Sequence, residues 1–198
     1  MPQEPSPAVA TSMQQVAAAN HPLRRRLLEI LGVEGPATAS RLSAETGQLV
    51  GNVSHHLKVL ASAGLIEEAP ELAKDRRERW WRSRRVSVSW SLADAAGDPA
   101  AEAVATAAES YNLAHHLEKV QQWFEARHDY DEAWTRAAFA TDTWLHLTPE
   151  ELSELGDRIA GVVTEFKAAH PGEGQPEDGQ ERERKAVYVF AHGVPGRP

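Results

Sequence analysis

Residues 52–68 read NVSHHLKVLASAGLIEE, and the two adjacent histidines inside that stretch, His55 and His56, raise fold and function together. Leu49, Val53, Leu57 and Leu60 recur at helical spacing and are expected to face inward. Gly64 ends the pattern as a C-terminal cap would. Asn52, His55 and Lys58 then fall on the outward side, with Ser54 at its margin, and Gly51 leaves room for close approach. Just before lies PATASRLSAETG, a shorter helical segment on Ala39, Leu42 and Ala44, stopped by Gly47. Two short helices with a glycine-containing turn between them make a helix-turn-helix pattern. Just after, LIEEA and RWWRS have strand-like composition, separated by the charged PELAKDRRE. Two strands joined by a basic loop predict a winged hairpin.

The outward residue types suit one partner in particular. On a helix laid in a major groove, Asn pairs bidentately with adenine, His donates to guanine or phosphate, and Lys neutralises phosphate. Gly51, Asn52, Ser54, His55 and Lys58 are therefore candidate DNA contacts. On the wing, Arg76, Arg77 and Arg79 suit phosphate or the minor groove rather than a base edge. Arg24, Arg25 and Arg26 start an earlier helix; one of them could reach phosphate, and a solvated face explains them equally well.

Charge sharpens the point. The chain has 198 residues, enough for one compact domain or two small ones, and a net charge of −8. That total argues against a polyanionic partner, but its distribution does not. Met1 to Leu92 carry 12 Lys+Arg against 9 Asp+Glu, whereas Ala93 to Pro198 carry 9 against 20. Basic residues crowd between Lys74 and Arg85, a footprint that a salt-bridged surface would also give. There is no cysteine, which excludes disulfides, thiolate metal sites and cysteine nucleophiles. The start, MPQEPSPAVATS, lacks the pattern of a secretory signal, and no run of eighteen apolar residues exists, so a cytoplasmic location without membrane partner is expected. No nucleophile and base stand at a defined separation, and Ser54 and His55 are helix neighbours that do not face each other. No enzyme activity and no cofactor are expected.

Elsewhere, Met13 to Ala19 reads as a short helix, and NHPLRRRLLEILGVEG as a stronger one with Pro22 in its first turn. Residues 98–128 carry a stripe of Ala103, Ala107, Tyr111, Ala114, Leu117, Val120 and Phe124. About thirty helical residues span roughly 45 Å, long enough to pair across a dimer. Phe139, Thr141, Thr143, Leu145 and Leu147 alternate as in a strand. Thr148, Pro149 and Glu151 form a capping box opening a helix whose stripe of Leu152, Leu155, Ile159, Val162 and Phe166 is expected to be buried. KAVYVFAHGV is expected to pair, as a strand, with the 137–147 strand. The aromatic residues of this half, Trp123, Trp134, Trp144 and Phe139 among them, are expected in its core.

The stretch TASRLSAETGQLVGNVSHHLKVLASAGLIEE with its Arg-rich hairpin resembles the winged helix-turn-helix of the ArsR-type bacterial transcriptional regulators. VSHHLKVLASAGLI is similar to the recurrent VSxHLxxLxxAGLV of that family. The resemblance spans roughly residues 12–92, under half the chain. It implies a homodimer on a pseudo-palindromic operator in double-stranded DNA, usually as a repressor released by a signal. It also implies a packing and hydrogen-bonding role at the helix–DNA margin for His56, which matches the family's His before Leu, and leaves His55 as the exposed one.

Many members of that family sense metals. Their thiolate sites need cysteines, which this chain lacks. Another version uses D-x-H, ten residues, then H-x-x-E/H on the long C-terminal helix. Here Ala114 stands where His116 would need an Asp, and eleven residues separate His116 from His128. That match is poor, and half-exposed histidines on an amphipathic helix explain the pattern better, so no metal is expected. The expected architecture is α+β and mainly α: a flexible arm (1–11), a winged helix-turn-helix DNA-binding domain (12–92), and a dimerisation and effector-binding domain (98–198) made of a long helix and a small α/β module. A small-molecule effector pocket near His116, His146 or Arg136 is the sharper reading of that module; added dimer surface is the plainer one. The alternatives are a metal-responsive regulator with His and carboxylate ligands, and a winged-helix module that binds a protein.

Overall fold

The computed structural model describes residues 13–75, 78–84, 97–170 and 184–197. They fall into two compact units, one running to Ala114 and the other from His115. No helix among the described residues is long and apolar enough to cross a membrane.

The first unit is a winged helix. Helix α1 (Met13–Ala19) precedes α2 (Pro22–Val33), whose first turn takes Pro22 because that position needs no N–H. A two-residue strand, β1 (Ala37–Thr38), leads into α3 (Ala39–Thr46), where the Thr38 hydroxyl accepts the Arg41 N–H at 3.3 Å. Gly47 turns the chain with φ 65°, a left-handed conformation that glycine adopts without strain. Helix α4 (Val50–Ser62) follows, then strands β2 (Ile66–Glu68) and β3 (Trp80–Ser83). The sheet order is β1-β3-β2, all antiparallel, and the register sets Glu67 opposite Arg82 and Glu68 opposite Trp81.

One core holds these elements. Leu27, Leu42, Val53, Leu57, Leu60 and Ile66 are fully buried, and Trp81 closes the sheet side. Each such aliphatic side chain contributes about 1.5–3 kcal/mol by leaving water. Two expectations need correction. Leu49 is not part of the inward stripe: α4 starts at Val50, so Leu49 precedes the helical period and is 82% exposed. Ala44 is exposed as well, leaving Leu42 as the one buried residue of α3.

Helix α5 (Pro99–Ala126) is as long as expected, but its buried face passes through Ala105 and Ala108, not Ala103 and Ala107. An alanine-rich first half has little hydrophobic contrast around its circumference, so spacing alone does not fix which side is buried. After a short 3₁₀ turn (Arg127–Asp129) come α6 (Glu132–Ala137) and α7 (Pro149–Ala169). The capping box at α7 forms in full: Thr148 accepts the Glu151 N–H at 3.3 Å and Glu151 accepts the Thr148 N–H at 2.8 Å.

The expected strand pair is absent: residues 138–147 and 184–197 form no strand in the chain. Nor are the aromatics of this unit its core. Phe139, Trp144 and Phe166 are exposed, and among the described residues from His115 onward none is buried. Alternating hydrophobicity identifies a segment suited to a sheet, but it does not supply a neighbour to complete the ladder.

Candidate nucleic-acid interface

Helix α4 presents its outer face because its inner face is fixed. Val53, Leu57 and Leu60 lock its rotation in the core. Gly51, Asn52, His55 and Lys58 consequently stand exposed, and Ser54 lies half-buried at the edge. The sequence of α4 contains no acidic residue, and Lys58 has no acidic partner among the described residues. Asn52 donates to the Gln48 side-chain oxygen at 3.1 Å, which holds its amide at the start of the helix. In front of it, Leu49 and Val50 (45% exposed) put two apolar side chains on open surface. Sequence spacing missed both as surface residues, although a Leu at the N-cap position instead of a capping Ser, Thr, Asp or Asn was a visible signal.

An open groove of about 630 Å³ runs beside α4, lined by His21, Arg26, Gln48, Asn52 and His56 among others. The two histidines here differ sharply. His55 is exposed, whereas His56 is half-buried and packs its ring 4.5 Å from that of His21. Burial pushes the His56 imidazole below its ordinary value, and His21, Arg24 and His55 push it further. Burial and then Arg24 do the same to His21. His56 thus joins α4 to the start of α2 and is placed as a packing residue.

The arginines of α2 divide. Arg24 donates to the backbone oxygens of Ala17 and Ala18, the latter at the end of α1. Arg25 donates to Asn112 and lies over the Tyr111 ring at 5.5 Å, tying α2 to α5. Arg26 alone of the three faces the groove, with Glu29 at 3.8 Å. On the wing, Arg82 meets Glu67 at 2.7 Å and Glu71 at 2.5 Å, Arg84 meets Glu67 at 3.4 Å, and Arg79 meets Glu68 at 3.6 Å. The basic stripe is therefore partly neutralised by its own glutamates, in exposed pairs that each contribute little to stability. Arg76 and Arg77 lie outside the described residues.

In the second unit, His116 stacks on Phe190 with ring centroids 4.7 Å apart and shares a 2.7 Å hydrogen bond with Tyr188. Arg136 pairs with Glu132 at 2.6 Å, and His146 is exposed. No group of three or more His, Asp or Glu among the described residues is placed to hold a metal ion.

Residues 19–69 match a family described as a helix-turn-helix domain. No curated protein matches the chain. A solved structure of Lactococcus lactis ZitR, an apo double mutant, is similar at 18% identity, covering 78% of this chain and 89% of that one, with a TM-score of 0.34. The matched segment holds α2, α3, α4 and β2 within its bounds. The chain accordingly carries a helix-turn-helix domain, the module by which transcriptional regulators bind DNA and which performs no catalysis.

Proposed function

We propose that this chain is an ArsR-type, winged-helix repressor of a bacterial cytoplasm, binding a pseudo-palindromic operator as a homodimer. One observation carries the reading: α4 offers Asn52, His55 and Lys58 on an acid-free outer face while Val53, Leu57 and Leu60 hold it in the core. A rigid helix with a polar, cationic face is the shape and chemistry a major groove accepts. Gly51 and Ser54 complete that surface, and the wing arginines, Arg76, Arg77 and Arg79, supply contacts to the backbone. Residues 12–92 form the reading domain, and 98–198 serve dimerisation and reception of an effector. Their opposed charges suit that division, the acidic half being kept off the polyanion.

The test is fluorescence anisotropy on the intergenic DNA upstream of the protein's own gene, against random duplex, over a salt series. We expect tight, competitor-resistant binding to the former, falling steeply with salt as counterions are released. Equal, weak binding to both duplexes would sink the reading and favour a protein partner for the winged helix.

A further inference from the structure

We propose that α7 is the seam of the homodimer, packed antiparallel against α7 of a second copy. This rests on the homodimeric reading above and names its surface. Leu152, Leu155, Ile159, Val162 and Phe166 follow one another at alternating spacings of three and four. Such strict alternation makes the narrow seam of a paired helix, not the broader stripe of a helix lying on a globular core. The chain itself covers only the beginning of the seam. Leu152 and Leu155 are half-buried, and Leu152 lies against Gly193. Beyond them Ile159 is exposed, and Val162 and Phe166 are each 65% exposed.

Self-complementarity and charge identify the occupant. Sixteen large hydrophobic side chains from Leu117 onward are exposed. Four of them, Ile159, Val162, Val163 and Phe166, lie on α7 itself. A twofold axis further requires the surface to complement itself. Antiparallel pairing sets Leu155 opposite the partner's Phe166 and Ile159 opposite the partner's Val162. The flanking positions then match as well. Arg158 meets the partner's Glu165, twice by symmetry, as a second acid beside its own Glu154 at 2.5 Å. Gly156, around which an added Cβ would find open space, meets the partner's exposed Val163. Parallel pairing would instead set Arg158 against the partner's Val163 and leave it without a second acid.

The absence of cysteine in the chain permits a direct test. Full-length Leu155→Cys and Phe166→Cys chains, carrying different tags, are co-expressed and oxidised. The expected product is a disulfide-linked dimer containing both tags, at least tenfold more abundant than any dimer from either variant alone. Two copies of position 155 would stand about 16 Å apart along the axis, beyond disulfide reach. Efficient crosslinking of either single variant overturns the antiparallel arrangement. No crosslink in the mixture, from protein that sediments as a dimer, overturns the seam alone. A monomer on sedimentation of the unaltered protein overturns the homodimeric reading with it. Val162→Glu, at an exposed position, is expected to shift the dimer to monomer with unchanged far-UV circular dichroism; a persistent dimer would likewise count against the seam.

Discussion

Leu49 occupies the N-cap position of α4, yet its side chain caps no backbone N–H and buries little of itself. Water gains nothing from such a side chain, but the C5-methyl of thymine would. If α4 enters the major groove, replacing operator thymines by uracil should weaken the natural protein several-fold at one step and leave Leu49→Ala unaffected there. Loss of equal size in both proteins would remove Leu49 from the reading surface. Asn52→Ala and His55→Ala should reduce operator binding more than random-DNA binding. Lys58→Ala should reduce both and lower the salt slope by about one. Of these residues, Asn52, His55 and Lys58 were legible from spacing, because Val53, Leu57 and Leu60 fix the helix phase. Leu49 was not, since an apolar residue one position before a helix looks like the next turn of its stripe. The pairing of Arg82 with Glu67 was equally hidden, because it depends on the β2–β3 register rather than on composition.

At the level of elements, the junction of α2 with α4 depends on two imidazoles staying neutral. His21 sits at the start of α2, where the helix dipole already disfavours positive charge, and His56 packs on it beside Arg24. Both are depressed below their ordinary value, so the unfolded chain binds their protons first. The stability they allow is complete above the ordinary imidazole range near 6.5 and is lost as pH falls through and below it. The melting temperature of the DNA-free protein should therefore drop between about pH 7 and pH 5, and His56→Gln should flatten that drop. An unchanged profile in the variant would assign the acid sensitivity elsewhere. The helices themselves were readable in advance, as the Thr148 capping box and the Gly47 turn show, since caps and glycines act locally. The segments 138–147 and 184–197 were misread as a strand pair because a strand needs a neighbour, and its identity is not encoded in alternation.

For the whole molecule, the contrast between a basic reading half and an acidic remainder leaves a net charge of −8 without preventing contact with DNA, since only the half that approaches matters. The winged helix was legible because its helices meet within a short stretch of chain around one core. The second unit was not, because its apolar side chains lie on its surface, where no pattern along one chain reveals what covers them. Arg25 adds a consequence for anyone wishing to isolate the reading head. It is clamped by Tyr111 and Asn112, far along the chain in α5, so cutting at the end of the wing would leave a guanidinium with neither partner. A fragment ending at position 92 should melt several degrees below one ending at 114, and the smallest sturdy piece of this regulator should include the first half of its long helix.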